Sequence, residues 1–419
     1  MKLLKTSILS AGSTIIKILS GIVVNKIISI YIGPSGIAII GQFQNVLSMI
    51  TSVGTGAISA GITKFTAQYN DDLKKRNQFI QASITVTIIC SIIVSLFTLI
   101  MKDWLSVNVL HSTEYHIIFI IVSISIIFSS LNLLLLALLN GLKEIKIYIA
   151  ASISGSLVSL LLASVLTIKF QMFGALLAFV LVQSIVFFTT IVFFRRYRVL
   201  VDFTFVKNIP RDVYSKLARY SLMTVTSLIA IPVVQILIRN AIIESDSLEA
   251  AGFWQATVKI SDLYLMVITT ALATYYLPRL SEIKGEQELR NEIIISYKII
   301  IPFVLLSSLL MYVLRGFIIN ILFTSEFQGM SPLFLYQLIG DCFKMCSWVL
   351  AYLMIAKSMT KLYIFTEIIF SCIYYLLSIY ALEKFGVIGV TMAYAAHYFI
   401  YLLTVLYLFK GVFIKNIKK

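Results

Sequence analysis

Lys259 and Asp262 stand three residues apart within an apolar stretch of the chain, one turn beyond Gln255. On a helix, spacings of four and three put all three side chains on one face, where a cation and an anion can pair. Gln337, Asp341, Lys344 and Trp348 repeat the spacing in a second apolar stretch, with cation and anion exchanged. A third stripe reads Ser7, Ser10, Thr14, Lys17, Gly21 and Asn25. Lys17 lies about 17 Å along its helix, too deep to reach water easily. Lys26 sits on the opposite face of the same helix, nearer the far end, where a lysine can snorkel. Charge at a bilayer centre costs at least about 2.5–3.5 kcal/mol on insertion scales, so such groups tend to face a bundle interior or a watery cavity. The deep cations Lys17, Lys26, Lys259 and Lys344 outnumber Asp262, Asp341 and Glu367. A cavity lined this way favours an anionic cargo such as a phosphate or diphosphate. In this reading Lys17, Lys259 and Lys344 attract the anion, and Asp262, Asp341 and Glu367 balance or release them. Glu367 and His397 are the candidates for ion coupling, although a mid-span histidine is more often a hydrogen-bonded core residue. Arg239, at the end of its apolar stretch, serves equally as an interfacial anchor or a ligand contact. Lys298 snorkels.

The elements that carry these residues follow from composition. The chain has 419 residues, 59% hydrophobic and only 13% charged. Soluble domains carry roughly 25% charged residues, so lipid is the expected solvent. Charge clusters, glycines and prolines divide the chain into twelve spans near 6–31, 36–62, 79–101, 115–140, 147–168, 173–194, 214–238, 250–277, 293–314, 330–356, 361–381 and 386–409. The expected fold class is an all-α integral membrane protein of twelve transmembrane helices in two six-helix bundles. The expected bundles are 1–198 and 214–419, joined by a basic cytoplasmic linker, 199–213. "IGQFQNV" (40–46) and "GFWQATV" (252–258) open spans two and eight alike and align Gln44 with Gln255. With six spans per half, such a repeat would be parallel, about an axis along the membrane normal.

Loop charges set the orientation. The formal net charge is +15. In a soluble chain this would suggest nucleic acid; here the connections explain it, and no nucleic-acid partner is expected. Of the 34 lysines and arginines, 24 fall at the termini and the connections on one side, and 5 on the other. The positive-inside rule makes that side cytoplasmic and places both termini there. Lys2 and Lys5 precede an apolar run with no small-residue cleavage site, which reads as a first membrane helix and not a removed signal.

Several chemistries are absent from the sequence. It holds no Walker A pattern, no glycine-rich nucleotide fingerprint, no HExxH and no Gly-x-Ser-x-Gly elbow. Cys90, Cys342, Cys346 and Cys372 lie in apolar segments without metal-site spacing, and no cofactor is expected. A transporter is therefore favoured over an enzyme. The rival readings are a drug/ion antiporter, whose cationic cargo would want a negatively charged cavity, and a membrane polymerase or ligase of lipid-linked sugars. The enzyme would want a large outward loop rich in arginine and histidine, and the longest outward loops, near 101–115 and 315–330, are short.

The segments "IGPSGIAIIGQFQN" (32–45), "GITKFTAQYND" (61–71), "GFWQATVKISDLYL" (252–265), "YYLPRLSEI" (275–283), "QLIGDCFK" (337–344) and "YLMIAKS" (352–358) carry a resemblance over nearly the whole chain. In their order and spacing the sequence resembles the Wzx-type O-antigen and enterobacterial-common-antigen flippases of Gram-negative bacteria. These belong to the multidrug/oligosaccharidyl-lipid/polysaccharide (MOP) exporter superfamily. The resemblance implies a MATE-like, V-shaped pair of bundles in the inner membrane. It implies a substrate, an oligosaccharide unit on undecaprenyl diphosphate, moved from the cytoplasmic to the periplasmic leaflet by ion-coupled alternating access. A polymerase and a chain-length regulator of the same pathway are the implied partners. The matching segments bring Gln44, Gln255, Lys259, Asp262, Asp341 and Lys344 to the expected cavity.

Overall fold

A computed structural model describes residues 2–196, 208–283, 285–357 and 359–413. Its helices in chain order are α1 (Lys2–Gly54), α2 (Ser59–Gln68), α3 (Leu73–Ile100), α4 (Lys102–Leu110), α5 (His116–Gly141), α6 (Ile145–Arg196), α7 (Arg211–Ser245) and α8 (Leu248–Ala271). A π-helical turn (Leu272–Tyr276) leads into α9 (Leu277–Glu282) and α10 (Glu286–Val313). Next come α11 (Arg315–Leu322), a 3-10 segment (Ser325–Leu333), α12 (Phe334–Ala356), α13 (Thr360–Leu408) and α14 (Lys410–Phe413). Among the described residues, eight helices are long and apolar enough to cross a membrane. The chain is a multi-pass membrane protein.

Three of these helices are pairs of rods. α1 breaks at Gly33 (φ 72°), α6 at Gln171 (φ 49°) and α13 at Gly386 (φ 62°). A left-handed residue reverses the chain without a loop, and glycine adopts it at no steric cost. Cutting the three at these points and adding α8 leaves twelve membrane-length rods among the described residues. α8 has 24 residues, but its polar stripe keeps it out of the apolar set.

Two of the reversals share one construction. Gly174 follows Gln171 by three residues and meets the Leu166 carbonyl, and Gly389 follows Gly386 by three and meets the Ala381 carbonyl. In each hairpin the glycine stands where a β-carbon would strike a backbone oxygen of the incoming rod. This repeat between the halves is sharper than the glutamine motif.

Helix starts carry side-chain caps. The Asp72 carboxylate accepts the Lys75 amide hydrogen at 3.1 Å ahead of α3, and that bond holds its carboxyl below the ordinary value. Ser247 accepts the Ala250 amide hydrogen at 3.1 Å ahead of α8. Each cap satisfies one amide that a helix start leaves unpaired.

The chain divides into two units, 1–32 with 39–232, and 33–38 with 233–419. The units do not follow chain order alone. Residues 33–38 join the second because Gly252 of α8 abuts the Pro34 carbonyl and Ala38 lies in a core with Ile238, Ile242 and Trp254. The front of α7 joins the first, where Leu217 packs with Ile62 and Phe79 and Ser221 donates to the Gly56 carbonyl at 2.5 Å. Most of the expected linker, 199–213, lies outside the described residues.

The span limits shift locally. Span two ends at Gly54, where Gly56 and Ala57 turn left-handed before α2 begins. Span seven runs on to Ser245, so Arg239 is not at its end. The connections near 101–115 and 315–330 are filled by short helical pieces, α4 in one and α11 with the 3-10 segment in the other.

Candidate functional site

The second unit holds most of the polar membrane residues. Asp341, on α12, is 0% exposed. Its Oδ2 accepts hydrogen bonds from the Ser261 hydroxyl at 2.7 Å and the Tyr264 hydroxyl at 2.8 Å, both on α8. Its Oδ1 accepts one from the Tyr394 hydroxyl at 2.9 Å, on the second rod of α13. Tyr264 also lies 3.2 Å from the Ser308 hydroxyl of α10. Three helices, α12, α8 and α13, thus meet at one carboxyl group, and α10 joins them through Tyr264. Gly340 makes room for this approach, since a β-carbon there would overlap the Tyr394 ring.

Lys344 does not pair with Asp341. Its ammonium lies over the rings of Trp348, at 5.1 Å, and Tyr398, at 5.7 Å. Its charge still reaches Asp341, Asp262 and His397. Lys259 is half-buried and Asp262 exposed, within electrostatic reach of each other. Ion pairs among the described residues include Lys75–Asp72, Lys216–Asp212 and Arg279 with Glu288 and Glu292. None of these involves Lys259, Asp262, Asp341 or Lys344. Spacing of i,i+3 permits a pair without imposing one. The Asp341 carboxylate already has three donors, and the Lys344 ammonium has two ring faces.

The other candidates divide by surroundings. Gln255 is buried, and its Oε1 accepts from the Arg239 guanidinium, which stacks 5.5 Å from the Trp254 ring. Arg239 is 0% exposed, which rules out an interfacial anchor. His397 is a core residue ringed by Phe370, Tyr374 and Tyr398 at 5.8, 5.1 and 4.6 Å, and its Nδ1 has no partner among the described residues. Glu367, half-buried on the first rod of α13, lies within electrostatic reach of Tyr398 and Tyr401. Lys17, Asn25, Lys26 and Gln44 are half-buried in the first unit.

Sequence reasoning missed the hydroxyl partners. Ser261 and Tyr264 lie three residues apart on either side of Asp262, and Tyr394 and Tyr398 flank His397 at a four-residue spacing. That spacing was the available signal. It was hidden because tyrosines inside apolar segments read as packing.

Three comparisons bear on this arrangement. The lipid III flippase of Escherichia coli (strain K12) is 27% identical over 402 residues, 96% of each chain. An inward-facing multidrug resistance MATE family transporter of the MOP superfamily superposes with a TM-score of 0.76 at 14% identity, over 96% of each chain. The lipid II flippase MurJ, in an inward closed conformation, superposes with a TM-score of 0.69 at 16% identity, over 97% of this chain and 87% of that one. At those identities the two structural likenesses bear on the fold, which is that of MOP-superfamily transporters. A family model described as "Polysaccharide biosynthesis protein" matches residues 3–284. Since that match spans more than half of the chain, the chain belongs to the polysaccharide biosynthesis protein family.

Proposed function

We propose that this protein is a flippase for oligosaccharide units linked to undecaprenyl diphosphate. It is a transporter and not an enzyme. One observation carries the reading: Lys259 and Lys344 stand on two membrane helices of one unit, with no carboxylate in ion-pair contact among the described residues, so their charge is available to an anionic cargo. The name of the Escherichia coli relative supports it. Lys17, Lys259 and Lys344 attract the diphosphate and acidic sugars. Asn25, Lys26, Gln44 and Gln255 are further polar contacts for the cargo, and Asp262 lowers the barrier to release. Glu367 and His397 couple an ion gradient to alternating access. The polyprenyl tail stays in lipid, where its burial costs nothing. The protein lies in the inner membrane with both termini in the cytoplasm, beside a polymerase and a chain-length regulator of the same pathway. A cation antiporter would want the opposite cavity charge.

Removing the protein tests this. A cell lacking it should lose surface polysaccharide and accumulate single lipid-linked units facing the cytoplasm. Single units displayed outside would point instead to a polymerase. Drug sensitivity with normal polysaccharide would point to an antiporter.

A further inference from the structure

Arg239 is the one arginine of α7's outward half, and it is sealed in an apolar core. It is 0% exposed, and the Trp254 ring 5.5 Å from it belongs to a buried apolar cluster with Ile238, Ile242, Ala251, Leu382 and Val390. Its Nη2 donates to Gln255, while its Nε and Nη1 are buried without partners among the described residues. No carboxylate lies within electrostatic reach of it there; the nearby charge is that of Lys259, another cation. A guanidinium stays charged at any physiological pH. Burying it against a neutral amide, with two donors unmet, is among the least favourable arrangements a protein core holds.

We propose that Arg239 is the second cation of an oxyanion site on α7 and α8, joining Lys259 on the diphosphate of the cargo. This rests on the flippase reading and names a residue that reading does not use. The guanidinium presents a planar fork of donors that matches phosphate oxygens two at a time. Its two such edges, Nε with Nη2 and Nη1 with Nη2, share the Nη2 that Gln255 holds, so release of Gln255 opens either edge to a phosphate. Lys259 lies one turn beyond Gln255 on α8 and is half-buried, so an anion can reach it. A dianion between the two relieves their mutual repulsion and meets the idle donors. Gln255 is the placeholder: its neutral oxygen occupies Nη2 until a charged acceptor replaces it. The polar contact is thus exchanged and not lost.

Trp254, against the guanidinium, gives a built-in reporter, as one of only three tryptophans in the chain. The purified full chain in detergent is titrated with inorganic pyrophosphate, with undecaprenyl diphosphate and with uncharged undecaprenol. The signal is the emission component that Trp254→Phe removes. Pyrophosphate and undecaprenyl diphosphate should each give a saturable change, and undecaprenol none. Arg239→Gln, which keeps a polar group for Gln255 but removes the charge, should raise the half-saturating concentration about tenfold or more. Should that variant fail to fold, Arg239→Lys decides, because it keeps the charge and loses the fork; a rise in half-saturation is expected. Unchanged half-saturation in the folded variant overturns the site and leaves the flippase reading intact. A response to undecaprenol equal to that of its diphosphate overturns it as well. A response to pyrophosphate but none to undecaprenyl diphosphate overturns the lipid-linked source. Wild-type protein that answers neither anion overturns the site, and only a loss of flipping in the same preparation would also overturn the proposed function.

Discussion

Asp341 and Lys344 sit one turn apart and have different jobs. The carboxylate is saturated by Ser261, Tyr264 and Tyr394, so it ties helices together. The ammonium is held by the Trp348 and Tyr398 ring faces, so it stays available. Tyr394→Phe removes one hydroxyl and should cost about 0.5–1.5 kcal/mol of stability. Asp341→Asn turns one acceptor into a donor facing a hydroxyl and should cost about 1–3 kcal/mol. Thermal unfolding in detergent checks both. Lys344→Ala should lower stability by no more than about 2 kcal/mol, yet abolish surface polysaccharide at normal protein level. Lys17→Ala and Lys259→Ala should do the same. Normal polysaccharide in all three would remove the anion-binding role. Which residues are polar and deep was legible in the sequence, because membrane charge is rare. Their partners were not, because spacing allows Lys259–Asp262 and Asp341–Lys344 pairs while the choice depends on what neighbouring helices offer.

Among the helices, close approach is set by glycines. Gly252 of α8 meets the Pro34 carbonyl, so Gly252→Leu should separate α8 from residues 33–38 and sharply reduce folded protein, read by size-exclusion chromatography in detergent. The hairpin breaks give a contrast. Gly386→Val forces a β-branched residue left-handed and should cost at least about 1–2 kcal/mol. Gln171→Gly relieves the same conformation and should leave stability unchanged or slightly raised. Equal losses from both would contradict the left-handed turns. Hydropathy made the rods legible, and "IGPSG" marked the break at Gly33. The break at Gln171 was placed between spans but carried no glycine to show its geometry. The exchange of residues 33–38 into the second unit has no local signal at all, since it depends on where α8 comes to lie.

At the scale of the whole molecule, a MOP-superfamily transporter fold carries Lys259 and Lys344 outside the ion pairs seen among the described residues. Charge selection should therefore be a property of transport and not only of binding. The most direct measurement is flipping of a fluorescent undecaprenyl-diphosphate oligosaccharide in proteoliposomes, scored by its accessibility to a membrane-impermeant quencher. Wild-type protein should expose the probe on both leaflets far faster than protein-free vesicles. The paired variant Lys259→Gln with Lys344→Gln should fall to the protein-free rate while remaining folded. Flipping at the wild-type rate by that variant, or no flipping by the wild type with an imposed ion gradient, would contradict the account.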